Sequence, residues 1–386
     1  MSYGFTEADV DYLVGSAGTA ALAKADELEL SSASLLRDLG RARELFGTYA
    51  SAVVETVLLR RRSAAKIADG ERWLFTDDGL QQATPTLVAR HRAQRFAGRT
   101  VHDVTCSIGA ELAELVGVAA GVVGSDLDAV RLRMAAHNVP GASLVRADAL
   151  APVTVGTVVI ADPGRRSGGK RTHDPAQLQP PLPDLLNAYP GRDLAVKCAP
   201  GLDFDRLGWA GEVEVTSLDG GVREACLWSE GLATARRRAT VLSSDGTGWS
   251  ISDAESDDIP EREPGEWIVN PDGAVVRAGL VRHYAAKHGL WQLDPRIAYL
   301  TGDSVPDGVR GFRILEQVKY SEKVIRQELA RRDCGTLEIL VRGVDVDPAV
   351  LRPRLKLRGS ASLALVITRI GRSATAFVCA PPVRAS

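Results

Sequence analysis

The feature that most constrains this chain is an alternation of short apolar runs, each closing on an acidic residue, with helical stretches between them. The runs are Val101–Val104, Gly121–Gly124, Ser143–Val145 and Val155–Ala161, and the acids are Asp103, Asp126, Asp148 and Asp162. Runs of this length bounded by polar residues read as buried strands. Glu111–Val118 and Ala129–Asn138, between them, carry apolar residues at helical spacing. Strand, helix, strand in sequence builds a parallel sheet, because parallel neighbours need a long crossover connection. Ligands of such sheets sit beyond the carboxyl ends of the strands. Four acids are therefore expected on one edge of one sheet, where a nucleotide-like ligand would bind.

The 386 residues allow two or three domains with substantial cores. A formal net charge of -2 means that any nucleic-acid surface must be a local patch. Cys106, Cys198, Cys226, Cys334 and Cys379 are scattered, with no CxxC or Cys/His cluster, so neither a disulfide framework nor a metal site is expected. The start, Met1–Glu7, lacks the basic and apolar pattern of a signal peptide. No apolar run approaches the ~20 residues that span a bilayer. The expected compartment is the cytoplasm, with no membrane partner.

Residues 1–98 read as a helical domain, with helices over Glu7–Val14, Thr19–Glu27, Ser31–Leu45, Tyr49–Ala68 and Pro85–Phe96. The cluster Arg60-Arg61-Arg62 with Lys66 is either a solvated helix face or a phosphate contact. Residues 99–250 carry the strand–helix alternation, with later strands at Asp193–Cys198, Gly211–Ser217, Glu224–Trp228 and Ala239–Leu242. Gly220-Gly221 signals a hairpin and an antiparallel edge. Residues 251–302 read as a linker and a connecting helix, Asp272–His288. Residues 303–386 form a small α+β domain: strand Phe312–Tyr320, helix Ser321–Arg332, strand Thr336–Val341, helix Pro348–Lys356, then strands Leu363–Ile370 and Ala374–Cys379.

A dinucleotide site would show GxGxxG after the first strand, but here Ser107-Ile108-Gly109-Ala110-Glu111-Leu112 has a single Gly and no pyrophosphate cradle. Asp103 is placed to accept hydrogen bonds from an ammonium group. Asp126, at the second strand end, suits a ribose diol, and Asp148 suits an adenine amino group. A cofactor with ammonium, ribose and adenine but no phosphate is S-adenosylmethionine. Thr105, Ser107 and Gly109 in the loop, with Leu127 and Ala149 beside the acids, complete the expected cofactor site. The alternative for each Asp is a helix cap, which is the expectation for Asp128.

Across about 99–228 these residues resemble the class I S-adenosylmethionine-dependent methyltransferases. Over most of 64–378 the chain resembles bacterial methyltransferases with a THUMP-like C-terminal domain. The residues that carry this are Asp103–Gly109, Asp162-Pro163-Gly164-Arg165-Arg166, Lys197–Asp203, Val269-Asn270-Pro271, Leu337–Val344 and Leu355–Gly359. The resemblance implies an α/β fold: a Rossmann-like seven-stranded methyltransferase sheet, an N-terminal helical domain and a C-terminal α+β THUMP-like domain. It also implies methylation of a structured RNA, with tRNA the first expectation.

Methyltransferases of amino groups carry Asn/Asp-Pro-Pro-aromatic at the fourth strand end. This chain keeps Asp162 and Pro163 but continues with Gly164 and Arg165. Asp162 and Pro163 are the expected catalytic residues, Asp162 orienting or deprotonating the acceptor. Arg165, Arg166, Lys170 and Arg171 form a basic, Gly-containing loop beside them that suits an anionic substrate, and Lys197 joins this substrate group. His173 is expected at the surface. Cys198 is weighed as a nucleophile and set aside, because the Pro-Cys or Thr-Cys partner is absent. In the C-terminal domain Lys319, Lys323, Arg326, Arg331 and Arg332 mix with acids. The Arg342-Gly343 turn with Arg354–Arg358 is the stronger RNA-backbone expectation. Two alternatives stay open, a non-catalytic RNA-binding or assembly protein that keeps the fold, and a small-molecule methyltransferase. The sequence leaves the oligomeric state open.

Overall fold

A computed structural model describes residues 3–164, 166, 167, 170, 171 and 177–384, with backbone alone at 166, 167, 170 and 171. The chain divides into two units. The first comprises 1–213, 224–234 and 242–247; the second comprises 214–223, 235–241 and 248–386.

The first unit opens with helices α1 (Glu7–Val14), α2 (Ser16–Asp26), α3 (Leu35–Phe46), α4 (Ala50–Ser63), α5 (Asp77–Gln82) and α6 (Thr86–Ala93). Thr6 starts α1 with a reciprocal capping box, its hydroxyl accepting from Asp9 N–H and the Asp9 carboxylate accepting from Thr6 N–H. The basic cluster on α4 is spent internally. Arg61 donates to the carbonyls of Asp26, Leu28 and Glu29, Arg60 to those of Trp73 and Arg72, and Lys66 to those of Leu80 and Gln81. Arg62 pairs with Asp77. These cations are engaged by chain carbonyls and by Asp77, so the cluster is not a free phosphate site, while Arg61 and Arg62 stay exposed to solvent.

The sheet follows: β1 (Thr100–Asp103), α7 (Ala110–Val116), β2 (Gly121–Asp126), α8 (Ala129–Asn138), β3 (Ser143–Arg146), β4 (Val158–Ala161), α9 (Leu182–Ala188) and β5 (Leu194–Cys198). The order β5-β4-β1-β2-β3 is parallel throughout. Residues 225–228 of strand Gly221–Trp228 add an antiparallel neighbour to β5. Strand β4 starts three residues later than its apolar run, because Gly156 takes a positive φ and Val155 is exposed. One hydrophobic core runs through helices and sheet alike, from Val10 and Leu59 to Ile160 and Trp228. The order reverses at β1, with β2 on one side and β4 on the other. That is the position at which such sheets open a crevice.

In the second unit, strands Arg310–Lys319, Cys334–Arg342, Ala361–Ile370 and Ser373–Cys379 pair in the order first, fourth, third, second. Helices Glu322–Arg331 and Pro348–Arg354 contribute Ile325, Leu329 and Leu351 to the core on one face. Ile268, Leu293, Ile297, Tyr299 and Phe312 pack with the other. Two expectations change here. The helix expected over Asp272–His288 is two, Gly273–Arg277 and Val281–Lys287, broken where Gly279 adopts φ +76°. The segment expected as linker contributes strand Trp267–Val269, which pairs with Gly311–Arg313. The hairpin forms one residue earlier than the expected Gly220-Gly221 pair, with Asp219 and Gly220 both at positive φ and Gly221 opening the next strand. No helix among the described residues is long and apolar enough to cross a membrane.

Candidate functional site

The loop leaving β1 turns through Ser107 at φ +49° and Gly109 at φ +91° before α7 begins. A Cβ on Gly109 would lie 2.9 Å from Val139 Cγ2, so both backbone conformation and space call for glycine there. The loop is strapped from the next strand, because Asp126 Oδ2 accepts the Ser107 N–H at 3.0 Å and its Oδ1 accepts the Asp128 N–H at 2.9 Å. Asp128 in turn caps α8, accepting from Val130 and Arg131 N–H, as expected of it.

A cavity of about 460 Å³ opens at this edge of the sheet. Asp103, Thr105, Ser107, Asp126, Leu127, Asp148, Ala149, Asp162 and Lys197, all expected at the site, line it. Gly109 shapes the loop without lining the cavity, and Pro163 is buried beside it. Asp148 is exposed and accepts the Leu150 N–H at 2.8 Å. Arg165 and His173 lie outside the described residues, as do the side chains of Arg166, Lys170 and Arg171. The backbone at 166–167 pairs antiparallel with that at 170–171.

The floor is a buried charge cluster. Lys197, 6% exposed, donates to Asp162 Oδ2 at 2.5 Å and to Thr84 Oγ1, and sits 3.7 Å from Glu111 Oε2. Arg92, buried in α6, joins Glu111 Oε2 to Glu224. Glu111 Oε1 is buried with no hydrogen-bond partner among the described residues. Asp103 accepts the Thr105 N–H at 3.0 Å, and Thr105 Oγ1 accepts the Asp162 N–H at 2.7 Å, so two strand ends are tied by one threonine. Burial pushes the Asp103 carboxyl up to about 7; Glu111 and Asp162 push the same way, against the Thr105 N–H and Lys197.

Three other titratable groups are structural. Cys106 is buried, which raises its thiol far above the range of a nucleophile. Cys198 is buried with Sγ directed at the Val196 carbonyl. His102 is held neutral by burial, its pKa lowered to about 4, and bonds Thr154 and Ser125.

Thr84, Arg92, Glu111 and Gln179 of this site were not anticipated from sequence. Thr84 and Arg92 come from the helical segment before the sheet. The one available signal was Glu111, an acid in the first turn after the Gly109 loop. Gln179 arrives through a two-way backbone bridge with Gly164, at 2.8 and 3.0 Å. Among the described residues, no group of three or more His, Cys, Asp or Glu is placed to hold a metal ion.

Comparison with known proteins matches residues 309–381 to the family described as THUMP domain-like, and residues 6–63 to a domain of unknown function. Two proteins named as uncharacterized S-adenosylmethionine-dependent methyltransferases, from Mycobacterium tuberculosis strains CDC 1551 and H37Rv, are each 57% identical over 358 residues. The match covers 88% of this chain and 99% of theirs. A crystal structure assigned as a methyltransferase, from Porphyromonas gingivalis W83, superposes with a TM-score of 0.74 at 18% identity. It covers 98% of this chain and 99% of that one.

Proposed function

Because the chain belongs to the S-adenosylmethionine-dependent methyltransferases, we propose that it methylates a base of a structured RNA, tRNA first, in the cytoplasm. The observation that carries this reading is the shared cavity, in which the carboxylates of Asp103, Asp126 and Asp148 meet the Asp162–Lys197 pair at one sheet edge.

The residues present fit the cofactor. Asp103, Glu111 and Asp162 outnumber the cations Lys197 and Arg92, and Glu111 keeps an acceptor unpartnered among the described residues, so the floor suits a positively charged ligand. Asp103 and Glu111 would hold the ammonium end, Asp126 the ribose hydroxyls and Asp148 the adenine amino group, with Thr105, Ser107, Leu127 and Ala149 as walls. When bound, S-adenosylmethionine supplies a methyl group on a sulfonium, activated for in-line displacement.

The chain's own task is alignment of the acceptor. Lys197 fixes Asp162 through Oδ2 and leaves Oδ1 without a hydrogen bond among the described residues. Asp162 Oδ1 accepts the N–H of the acceptor and directs its lone pair, while Pro163 stiffens the strand exit. The Arg165–Arg171 loop, beside this point in the chain, carries four cations for the substrate's phosphates. The THUMP domain-like match over 309–381 supports RNA as the acceptor class.

The test is calorimetric titration of S-adenosylhomocysteine into wild type and Asp126→Ala. Tritiated S-adenosylmethionine is then offered with RNA from a strain lacking the gene and with the same RNA from its parent. Binding lost in the variant, and label entering only the RNA of the deleted strain, are expected. Cofactor binding without label in any RNA would sink the RNA reading and leave the methyltransferase without it.

A further inference from the structure

Ion pairs in the second unit separate its basic residues into two classes. Arg310 pairs with Glu338, Arg313 with Glu266, Arg331 and Arg332 with Glu316 and Glu328, and Arg354 with Glu322. Arg352 donates to the Leu337 carbonyl. Of the cations that stand together in the sequence, Arg331, Arg332 and Arg354 are thus neutralised at home. Among the described residues, no ion pair involves Lys319, Arg342, Arg369 or Arg372, nor Lys323, Arg326, Lys356 or Arg358.

Lys319 and Arg342 are far apart in the chain, yet the strand register aligns them. Lys319 pairs with Thr375, Thr375 with Thr368, and Thr368 with Arg342, a straight row across four strands. Directly paired residues share a face of the sheet, and three strand spacings of about 4.8 Å put the two cations about 14 Å apart. Between them Thr368 Oγ1 is buried with no hydrogen-bond partner among the described residues. Arg342 is held over the Tyr299 ring, 5.0 Å from its centroid. One residue on from the row, and so on the opposite face, Arg369 has a buried Nε likewise without a partner among the described residues, while Arg372 stands exposed at the tip of the hairpin. Two acids nearby are already engaged. Glu322 is paired with Arg354, and Asp294 accepts from the backbone of Arg296 and Gly371.

We infer that this end of the sheet, with Lys319, Arg342 and Arg372, is the surface on which the second unit seats the phosphodiester backbone of its RNA. The inference rests on the RNA reading above and gives it a place. Two of the three cations are arginines, whose planar fork matches phosphate oxygens. No exposed large apolar side chain belongs to the row, which sets it apart from a membrane-inserting face. Each phosphate neutralised contributes about 0.7–0.9 to the slope of log affinity against log salt.

The experiment is fluorescence anisotropy of a labelled, unmodified tRNA transcript with the full chain, from about 50 to about 300 mM KCl. Wild type is compared with Lys319→Gln/Arg342→Gln/Arg372→Gln and with Arg331→Gln/Arg332→Gln, whose arginines are already paired. Arg372→Gln alone, at an exposed tip, serves as the variant that cannot disturb packing. The triple variant is expected to lose at least about tenfold in affinity at low salt and about two to three from the slope. Arg372→Gln should lose about 0.7–0.9 of slope, and the paired-arginine variant should keep the wild-type slope. Equal losses in the two multiple variants, or an unchanged slope in the triple variant, overturn the inference while leaving RNA binding intact. Wild type that binds vesicles of anionic lipid but not the transcript overturns it together with the RNA reading.

Discussion

Asp103→Asn offers a direct measure of the electrostatic cost built into the site. Asp103 is 4% exposed, and burial pushes its carboxyl from 3.8 up to about 7. An acid whose folded pKa lies above its unfolded one binds its proton more tightly when folded. Stability is therefore lost as pH rises from the unfolded pKa through the folded one, and the full loss is present above about 7. From 3.8 to about 7 the linkage amounts to about 4 kcal/mol, of which about 2–3 kcal/mol falls between about pH 5 and 8. Asparagine keeps an acceptor oxygen for the Thr105 N–H and carries no charge. In urea unfolding at about pH 5, 6, 7 and 8, the stability of the variant minus that of wild type should grow by about 2–3 kcal/mol across the series. Parallel profiles, with a difference constant to about 0.5 kcal/mol, would refute the claim that a buried, raised carboxyl sits at the first strand end. The gain has a functional counterpart. Because the ionised form attracts a cation, wild-type affinity for S-adenosylmethionine should rise from about pH 6 to about pH 8, and Asp103→Asn should bind weakly without that rise.

Asp126→Ala should abolish binding of S-adenosylhomocysteine, whereas Asp128→Ala should leave it intact and cost about 1 kcal/mol of stability as a lost helix cap; calorimetry and urea unfolding on both variants separate strap from cap. Lys197→Met removes the cation between Asp162 and Glu111 and should cost about 3–5 kcal/mol at about pH 7. A loss under about 1 kcal/mol would mean that those carboxylates do not depend on it. Gly109→Ala forces a Cβ onto a residue at φ +91° and against Val139. It should cost at least about 1–2 kcal/mol, read as a lower Tm, and should weaken S-adenosylhomocysteine binding by displacing the loop.

Much of the fold, and the sheet edge that carries the candidate site, could be read directly from local pattern. Apolar runs ending in Asp103, Asp126, Asp148 and Asp162 imply a parallel sheet, and a parallel sheet puts those acids on one edge whatever else the chain does. The capping roles of Thr6 and Asp128 and the turn at Asp219-Gly220 are equally local, because each depends on residues within a turn of one another. Side-chain pairing over long separations is different in kind. Lys197 reads as a substrate contact by position, but only the folded chain brings Thr84, Glu111 and Asp162 around it. Arg60, Arg61 and Lys66 look like a basic patch until the carbonyls that consume them arrive from elsewhere in the chain. The C-terminal basic residues follow the same rule. Charges adjacent in the sequence cancel against Glu316, Glu322, Glu328 and Glu338. Lys319 and Arg342 come into one row only through strand register. Sequence by itself determines periodicity, caps and turns, since these are set by a residue and its near neighbours. Which charge meets which is decided by tertiary structure, because burial and distance, not order along the chain, set the energy of a charge pair.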